Sequence, residues 1–392
     1  RLPYGMDDQW MVFSHYTERG WTVDNLWHIF TDFYGGQYAP LAFLSYLVLY
    51  AGFGYDPFYF HMFSLLLHIG CVCLVWKLIS SLLRVHGGVS EKQILYVNFI
   101  TTLLFAVHPI NVEAVAWISA LKVLLYAFFY LLGLLCYLRY IRTSKIFYYV
   151  LTIGCFLCSF WGKEQAVTFP LALLIVDWFT NRNMKNLEVW SEKMSFLIMA
   201  FFFGIITVLS QGKGPYEMIF PLYQRLLFGC FALVEYITKS LLPVNLNFFY
   251  PFPIVLGEEP PLHYYLYPVV LLFLMGWIIA YRNNRYLVFG VLLFLVNLLF
   301  SIHLFNMSRH AIVADRYMYL SYVGIVFLIA NGIWWLRKRL SYFKAALVFL
   351  FFYCFFLSVY TFHYTKKWEN TTMVKKYTKE VLEKRLNGSN HL

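Results

Sequence analysis

The feature that most constrains this chain is a series of apolar runs, each near the length of a helix that crosses a membrane. About 20 residues of helix span the roughly 30 Å hydrocarbon core of a bilayer. Two further apolar runs, 39–54 and 225–243, are ambiguous. The sequence therefore predicts an all-α polytopic membrane protein with about ten transmembrane helices, at 58–83, 94–108, 113–138, 146–161, 164–180, 194–210, 262–281, 286–305, 317–336 and 343–363.

Composition excludes a water-soluble domain. Of the 392 residues, 61% are hydrophobic and 13% are charged, against roughly 45–50% and 25% in soluble domains. Aromatic residues, which favour membrane interfaces, make up 21% of the chain. The formal net charge of +11 would suggest a nucleic-acid partner in a soluble domain. Here we expect membrane lipids as the surroundings and no nucleic acid.

Basic residues in short loops orient such a protein, because they are retained on the cytoplasmic side. They fall in alternate loops if the run 225–243 is not a crossing. Glu235 and Lys239 interrupt that run, so we place it at the outer interface or as a re-entrant segment. The predicted domains are an external loop at 1–57 with an acidic motif and an interfacial helix, a membrane core at 58–363 with an external loop at 211–261, and an external charged tail at 364–392.

A carboxylate pair, Asp7 and Asp8, is the first candidate for chemistry on the external side, where most acidic residues fall. Adjacent acids raise each other's pKa, so that one of them can act as a general base. They can also bind a divalent cation. A solvated turn is the simpler alternative.

The second candidate is an external turn between two predicted spans. It contains His108 and Glu113 and is followed by Lys122. A proline turn capped by Asn111 would explain the pattern equally well.

Cations on the external side form the third group. Lys163, beside Glu164 in a short turn, either pairs with that acid or provides charge for an anionic ligand. Asp315 has the position of a helix cap, whereas the next residue, Arg316, opposes the helix dipole. This placement of Arg316 favours a phosphate partner. Arg309, upstream of this pair, and Arg225, at the start of the interfacial run, are further candidates.

In chain order these segments resemble motifs of the GT-C glycosyltransferases, and within them the transmembrane-and-TPR-containing protein O-mannosyltransferases and their bacterial relatives. The strongest segment is Leu104–Ile118, which contains His-Pro, Glu113 and Ala-Val-Ala-Trp in the family's order. The other segments are Met6–Gln9, Tyr38–Leu41, Leu44–Tyr46, Phe53–Pro57, Lys163–Pro170 with Asp177, Pro243–Leu246, Phe249–Pro251 and Ala314–Leu320.

The resemblance implies a glycosyltransferase that moves a hexose, mannose or a similar sugar, from a polyprenyl-phosphate donor to a hydroxyl of a protein or glycan. Direct displacement would invert the anomeric carbon. We expect no obligatory metal or cofactor, with Asp7 and Asp8 as the place where a divalent cation would bind. The predicted site comprises Asp7 and Asp8 as catalytic acids, Lys163, Arg316, Arg309, His108 and Arg225 for the donor phosphate, and Glu113, Lys122, Glu164 and Asp315 in support.

The chain departs from the family pattern in two places. Many members carry a basic residue followed by an acid after the Ala-Trp, whereas here Lys122 precedes Val123. No TPR array follows the last predicted span, and we expect a fragment that also lacks the first span.

Two other functions fit the composition, a secondary transporter and a non-catalytic membrane scaffold. For localisation we expect a bacterial inner membrane with a periplasmic site, or the endoplasmic reticulum membrane with a lumenal site in a eukaryote.

Overall fold

The structure is a computed structural model that describes residues 7–211, 220–304 and 311–389. Every regular element in these ranges is a helix, and several are long and apolar enough to cross a bilayer. The predicted fold class, an all-α polytopic membrane protein, is confirmed.

The chain begins with four helices that precede the first long one. They pack around a small apolar core that includes Tyr16, Phe43 and Tyr46 and also Ile118 and Leu121. The sequence predicted only the last of the four. They are α1 Asp8–Met11, α2 His15–Glu18, α3 Val23–Thr31 and α4 Pro40–Phe53.

Helices coincide with all ten predicted spans and with the ambiguous run 225–243, which forms a 20-residue helix. The remaining helices are α5 Pro57–His86, α6 Glu91–Val107, α7 Val112–Ala116, α8 Leu121–Thr143, α9 Ile146–Gly162, α10 Phe169–Phe179, α11 Leu187–Gln211, α12 Leu222–Leu241, α13 Leu266–Ala280, α14 Arg285–Leu298, α15 Met318–Trp335, α16 Leu340–Thr365 and α17 Thr371–Ser389.

Length and composition support six full spans in the described chain, and a seventh if α6 is joined across its bend of 51° to Pro109–Ala116. The difference from ten lies in α9, α10 and α14, which have 17, 11 and 14 residues. At 1.5 Å per residue these helices reach only about 26, 17 and 21 Å. The six are Pro57–His86, Ile118–Thr143, Leu187–Ser210, Leu262–Ala280, Asp315–Lys338 and Leu340–Trp368.

The turn predicted at 108–113 is a longer folded segment, and the following span begins at Ile118 instead of 113. Pro109 has no N–H to continue α6 and starts a short 3-10 turn. Extended backbone at Trp117 then separates α7 from the 3-10 turn Ile118–Ala120 that leads into α8. This segment, 108–120, brings Glu113 into the interior instead of exposing it.

Buried charges join three helices on the side assigned to the cytoplasm. The Lys193 ammonium lies 2.6 Å from the Asp177 carboxylate, and Arg182 lies 2.6 Å from Glu192. The Tyr137 hydroxyl donates to Asp177 at 2.8 Å. Loss of one partner from such a network costs about 3–5 kcal/mol. The network therefore ties α8, α10 and α11 together at the ends opposite to Lys122.

Close packing of α14 on α15 generates a stability prediction. A Cβ on Gly324 would lie 2.5 Å from the Gly290 carbonyl oxygen, whereas one on Gly332 in the same helix would meet nothing within 4 Å. We expect Gly324→Ala to cost about 1–3 kcal/mol and Gly332→Ala to be neutral or slightly stabilising. Thermal unfolding of both variants in detergent measures this difference; equal unfolding temperatures would contradict the packing.

Candidate functional site

Asp8 lies buried under the first external loop and binds the segment 108–120. Its carboxylate accepts hydrogen bonds from the Ser119 backbone N–H at 3.0 Å and from the Ser119 hydroxyl. Burial is the main reason that the pKa of Asp8 rises to about 6; the bonds from Ser119 oppose the rise, and the charge of Asp7 adds to it. Asp8 thus anchors the acidic pair to the rest of the site.

Asp7 is the more accessible member of the pair and lies within electrostatic range of two cations. Its charge lies close enough to Lys122 and Arg316 to interact with both. The Lys122 ammonium is itself held by Gln37, to whose side-chain oxygen it donates at 2.5 Å. Glu164 also interacts electrostatically with Lys122. The structure therefore brings the acidic pair, the 108–122 region and the 163–164 turn into one cluster.

Arg316 forms an ion pair with Glu113, which is fully buried. Its Nη1 lies 2.5 Å from Glu113 Oε1, and its backbone N–H donates to Oε2 at 2.8 Å. The guanidinium lies 5.2 Å from the ring centroid of Trp117 and 5.0 Å from that of Tyr317. A guanidinium has five N–H donors, so one contact to Glu113 leaves capacity to bind an anion.

Lys163 joins the same group from the other side of Tyr317. Its ammonium lies 4.7 Å from the ring centroid of Tyr317, and the side chain is buried. Two cationic groups therefore lie near the Tyr317 ring, the guanidinium of Arg316 and the ammonium of Lys163. Two positive charges near one aromatic ring are suited to a phosphate group.

Asp315 has a structural position next to this pair. Its carboxylate accepts from the Tyr250 hydroxyl at 2.9 Å and from the Asn247 backbone N–H at 3.3 Å, and Lys239 lies 3.9 Å away. Asp315 is the first residue of its 3-10 turn, and the N-cap position predicted for it is taken by Ala314. It fixes the loop after α12 against the turn that carries Arg316.

Three predicted phosphate ligands are not brought into this cluster by the described contacts. His108 is buried, and its Nδ1 accepts from the Ile110 N–H at 3.2 Å, a capping contact. Arg225 lies near the start of α12, about 21 Å along the helix from Lys239, which is the residue of α12 near Asp315. Arg309 lies outside the described residues. Their roles stay predictions.

Two site residues, Gln37 and Ser119, were missed by sequence reasoning. A glycine pair precedes Gln37, and Gly35 has a φ of +59°, which favours glycine. A Cβ on Gly35 would lie 2.5 Å from the Trp10 ring. The glycine pair was the available signal for a tight turn over the acidic segment; nothing beside Ser119 distinguishes it from other serines.

The fold and the site together define a class: a polytopic α-helical membrane protein with a charged site at one end of its helix bundle. Within this class, the chain is similar to protein O-mannosyl-transferase TMTC2 of Homo sapiens, with 33% identity over 189 residues, 44% of this chain and 21% of the relative. Protein O-mannosyl-transferase TMTC4 of Homo sapiens is 31% identical over 37% of this chain and 22% of its own.

Tmtc3 of Drosophila melanogaster, also named a protein O-mannosyl-transferase, is 28% identical over 39% of this chain and 18% of its own. The resemblance predicted from the motifs is therefore confirmed. The matched segment spans only about a fifth of the length of these relatives. No protein-family profile and no solved structure matches the chain.

The buried position of Asp8 generates a pH prediction. Because the pKa of Asp8 is raised from its ordinary value of 3.8 to about 6 in the folded protein, the folded state binds this proton more tightly than the unfolded state. Stability contributed by protonated Asp8 is present below pH 4 and is lost as the pH rises through 6.

We expect Asp8→Asn to remove about 3 kcal/mol of this pH dependence. Unfolding free energies of wild type and Asp8→Asn across pH 4–8 measure it, with Glu369→Gln, at an exposed carboxyl, as the matched control. Parallel pH profiles for wild type and Asp8→Asn would show that burial does not shift this carboxyl.

Proposed function

We propose that this chain transfers a hexose from a polyprenyl-phosphate donor to a hydroxyl group of a protein on the outer face of a membrane. The observation that carries the proposal is that the Asp7 carboxylate lies within electrostatic range of two cations, Lys122 and Arg316. The relatives' names support mannose as the sugar and protein as the acceptor. A glycan acceptor is the alternative.

Asp7 is the proton acceptor in this proposal, and Asp8 positions it. Attack of a hydroxyl on the anomeric carbon requires a carboxylate within hydrogen-bond reach of the acceptor proton. Asp8 is occupied by Ser119, whereas Asp7 is partly exposed. The sequence analysis treated both aspartates as catalytic acids, whereas this assignment makes Asp7 the base and Asp8 its anchor.

Arg316 and Lys163 stabilise the leaving phosphate. In the reaction the acceptor oxygen bonds to the anomeric carbon, the bond from that carbon to the phosphate oxygen breaks, and Asp7 takes the acceptor's proton. The phosphate oxygen keeps the bonding electron pair, and preorganised cations lower the energy of that charge. A single displacement of this kind inverts the anomeric carbon.

The proposed reaction needs no obligatory metal. Lys122 and Arg316 already place two positive charges within electrostatic range of Asp7. These charges repel a divalent cation, and they can neutralise a phosphate themselves.

A lipid-linked donor places the site near a membrane surface. We propose the periplasmic face of a bacterial inner membrane, or the lumenal face of the endoplasmic reticulum in a eukaryote. Both follow from the external position of the segments around Asp7, Lys163 and Arg316 in the predicted topology.

The central test compares Asp7→Asn with Asp8→Asn in proteoliposomes, with polyprenyl-phosphate mannose as donor and a Ser/Thr-rich peptide as acceptor. We expect Asp7→Asn to lower kcat at least ~10²-fold, because the general base is lost. Asp8→Asn keeps an acceptor oxygen for Ser119 and retains most activity.

Equal activity of wild type and Asp7→Asn would refute the base assignment. Absence of any glycosidic product from the wild type, together with uptake of solute into the vesicles, would support a transporter; absence of both would support a scaffold.

The donor site is tested with Arg316→Lys, which keeps the charge but loses the planar fork that binds Glu113 and a phosphate together. We expect the KM for the donor to rise about tenfold with little change in the KM for the acceptor. Arg142→Lys, at an exposed position in the last turn of α8 and so at the other end of the bundle, is the matched control. A donor KM equal to that of the control would remove Arg316 from the donor site.

A further inference from the structure

We propose that α17, the helix after the last span, is a positioning element of the site, and that Thr378 acts on Arg316 through the loop 246–250. The inference rests on the proposed function for its kinetic consequence, although its structural part can be tested alone. Nothing in the motif pattern assigns the tail a part in the site.

One face of α17 is docked on the protein. Thr371, Val374 and Val381 are buried and Thr378 is partly buried. Their spacing of three, four and three residues puts them on a single stripe of the helix. A docked stripe keeps the helix in one orientation relative to the membrane core.

The first connection from this helix to the site is apolar. Trp368, just before α17, has its ring centroid 6.4 Å from that of Trp117, and Phe248 lies 5.2 Å from Trp117. Val374 belongs to the same buried cluster. Trp117 is also the ring beside which the Arg316 guanidinium lies. The start of the tail thus supports one wall of the Arg316 position.

The second connection is polar and passes through a buried asparagine. The Thr378 hydroxyl donates to Asn247 Oδ1 at 2.8 Å. The Asn247 backbone N–H donates to the Tyr250 hydroxyl oxygen at 2.6 Å and to Asp315 at 3.3 Å. Asp315 directly precedes Arg316. The hydrogen bonds therefore form an unbroken path from α17 to the turn that carries the donor-binding cation.

The residue types support positioning over simple packing. A valine, as at Val374 and Val381 of the same stripe, would fill the Thr378 position equally well, yet a hydroxyl is present and reaches Asn247. Asn247 is completely buried, and its Oδ1 accepts from two donors, the Thr378 hydroxyl and the Phe248 backbone N–H at 2.8 Å. The bond from Phe248 lies within the loop itself, so the Thr378 hydroxyl is the donor that links Asn247 to α17. We expect its loss to loosen the loop relative to α17.

The test uses Thr378→Val, with Thr378→Ser as the rescuing variant and Thr372→Val, at an exposed position of α17, as the control. We expect Thr378→Val to raise the donor KM three- to tenfold with the acceptor KM unchanged, and Thr378→Ser to restore it. Hydrogen exchange of peptides that cover Asn247 and Arg316 should be faster in Thr378→Val only.

The outcomes separate the two proposals. If the wild type transfers no sugar, the proposed function fails, and exchange at Asn247 and Arg316 still decides whether α17 positions them. Exchange and donor KM equal to those of Thr372→Val would overturn the positioning role, as would faster exchange without a change in donor KM in an active enzyme. If Thr378→Val does not fold, Trp368→Phe tests the same prediction through the apolar contact with Trp117.

Discussion

The ion pair between Glu113 and Arg316 is the interaction on which the rest of the site depends. It joins residues 203 positions apart and removes a carboxylate completely from solvent. A buried charge of this kind is tolerated only when its partner is held in good geometry. Glu113 accepts from both the side chain and the backbone of Arg316, which fixes the turn at 315–317 against the segment 108–120.

Other parts of the site are positioned relative to that pair. Asp8 binds Ser119 in the same segment that carries Glu113, so the acidic motif is placed by it. Lys163 contacts Tyr317, the residue after Arg316. The tail contacts Trp117, which lies between Glu113 and Ser119 in the chain. Segments distant in sequence thus converge, because each contacts a residue that is close in the chain to Glu113 or to Arg316.

Apolar runs predicted the helices well, because helix formation in a membrane is decided by the need to satisfy every backbone polar group within the segment. The predictions were less accurate at the ends of helices. Pro109 and extended backbone at Trp117 divide what the hydropathy pattern treated as a short turn and a continuous span. Hydropathy does not report a break inside a segment that remains apolar and buried.

The candidate site residues were also predicted only in part. Asp7, Lys122, Glu164 and Arg316 were identified by charge against an apolar background, and the structure brings them together. His108 satisfies a backbone N–H instead, and Gln37 carried no charge to mark it. A residue's type shows that it is unusual for its surroundings, whereas its partner depends on segments elsewhere in the chain.

The sequence by itself determined the fold class, the family resemblance and the set of charged residues available for chemistry, since these depend on composition and on short motifs. Only the tertiary structure decided that Asp8 is an anchor while Asp7 lies within electrostatic range of the cations, that Glu113 is buried, and that α17 packs on the site. Those outcomes depend on burial and on contacts between segments about 250 residues apart, such as Trp117 with Trp368, and local sequence does not encode distance in space.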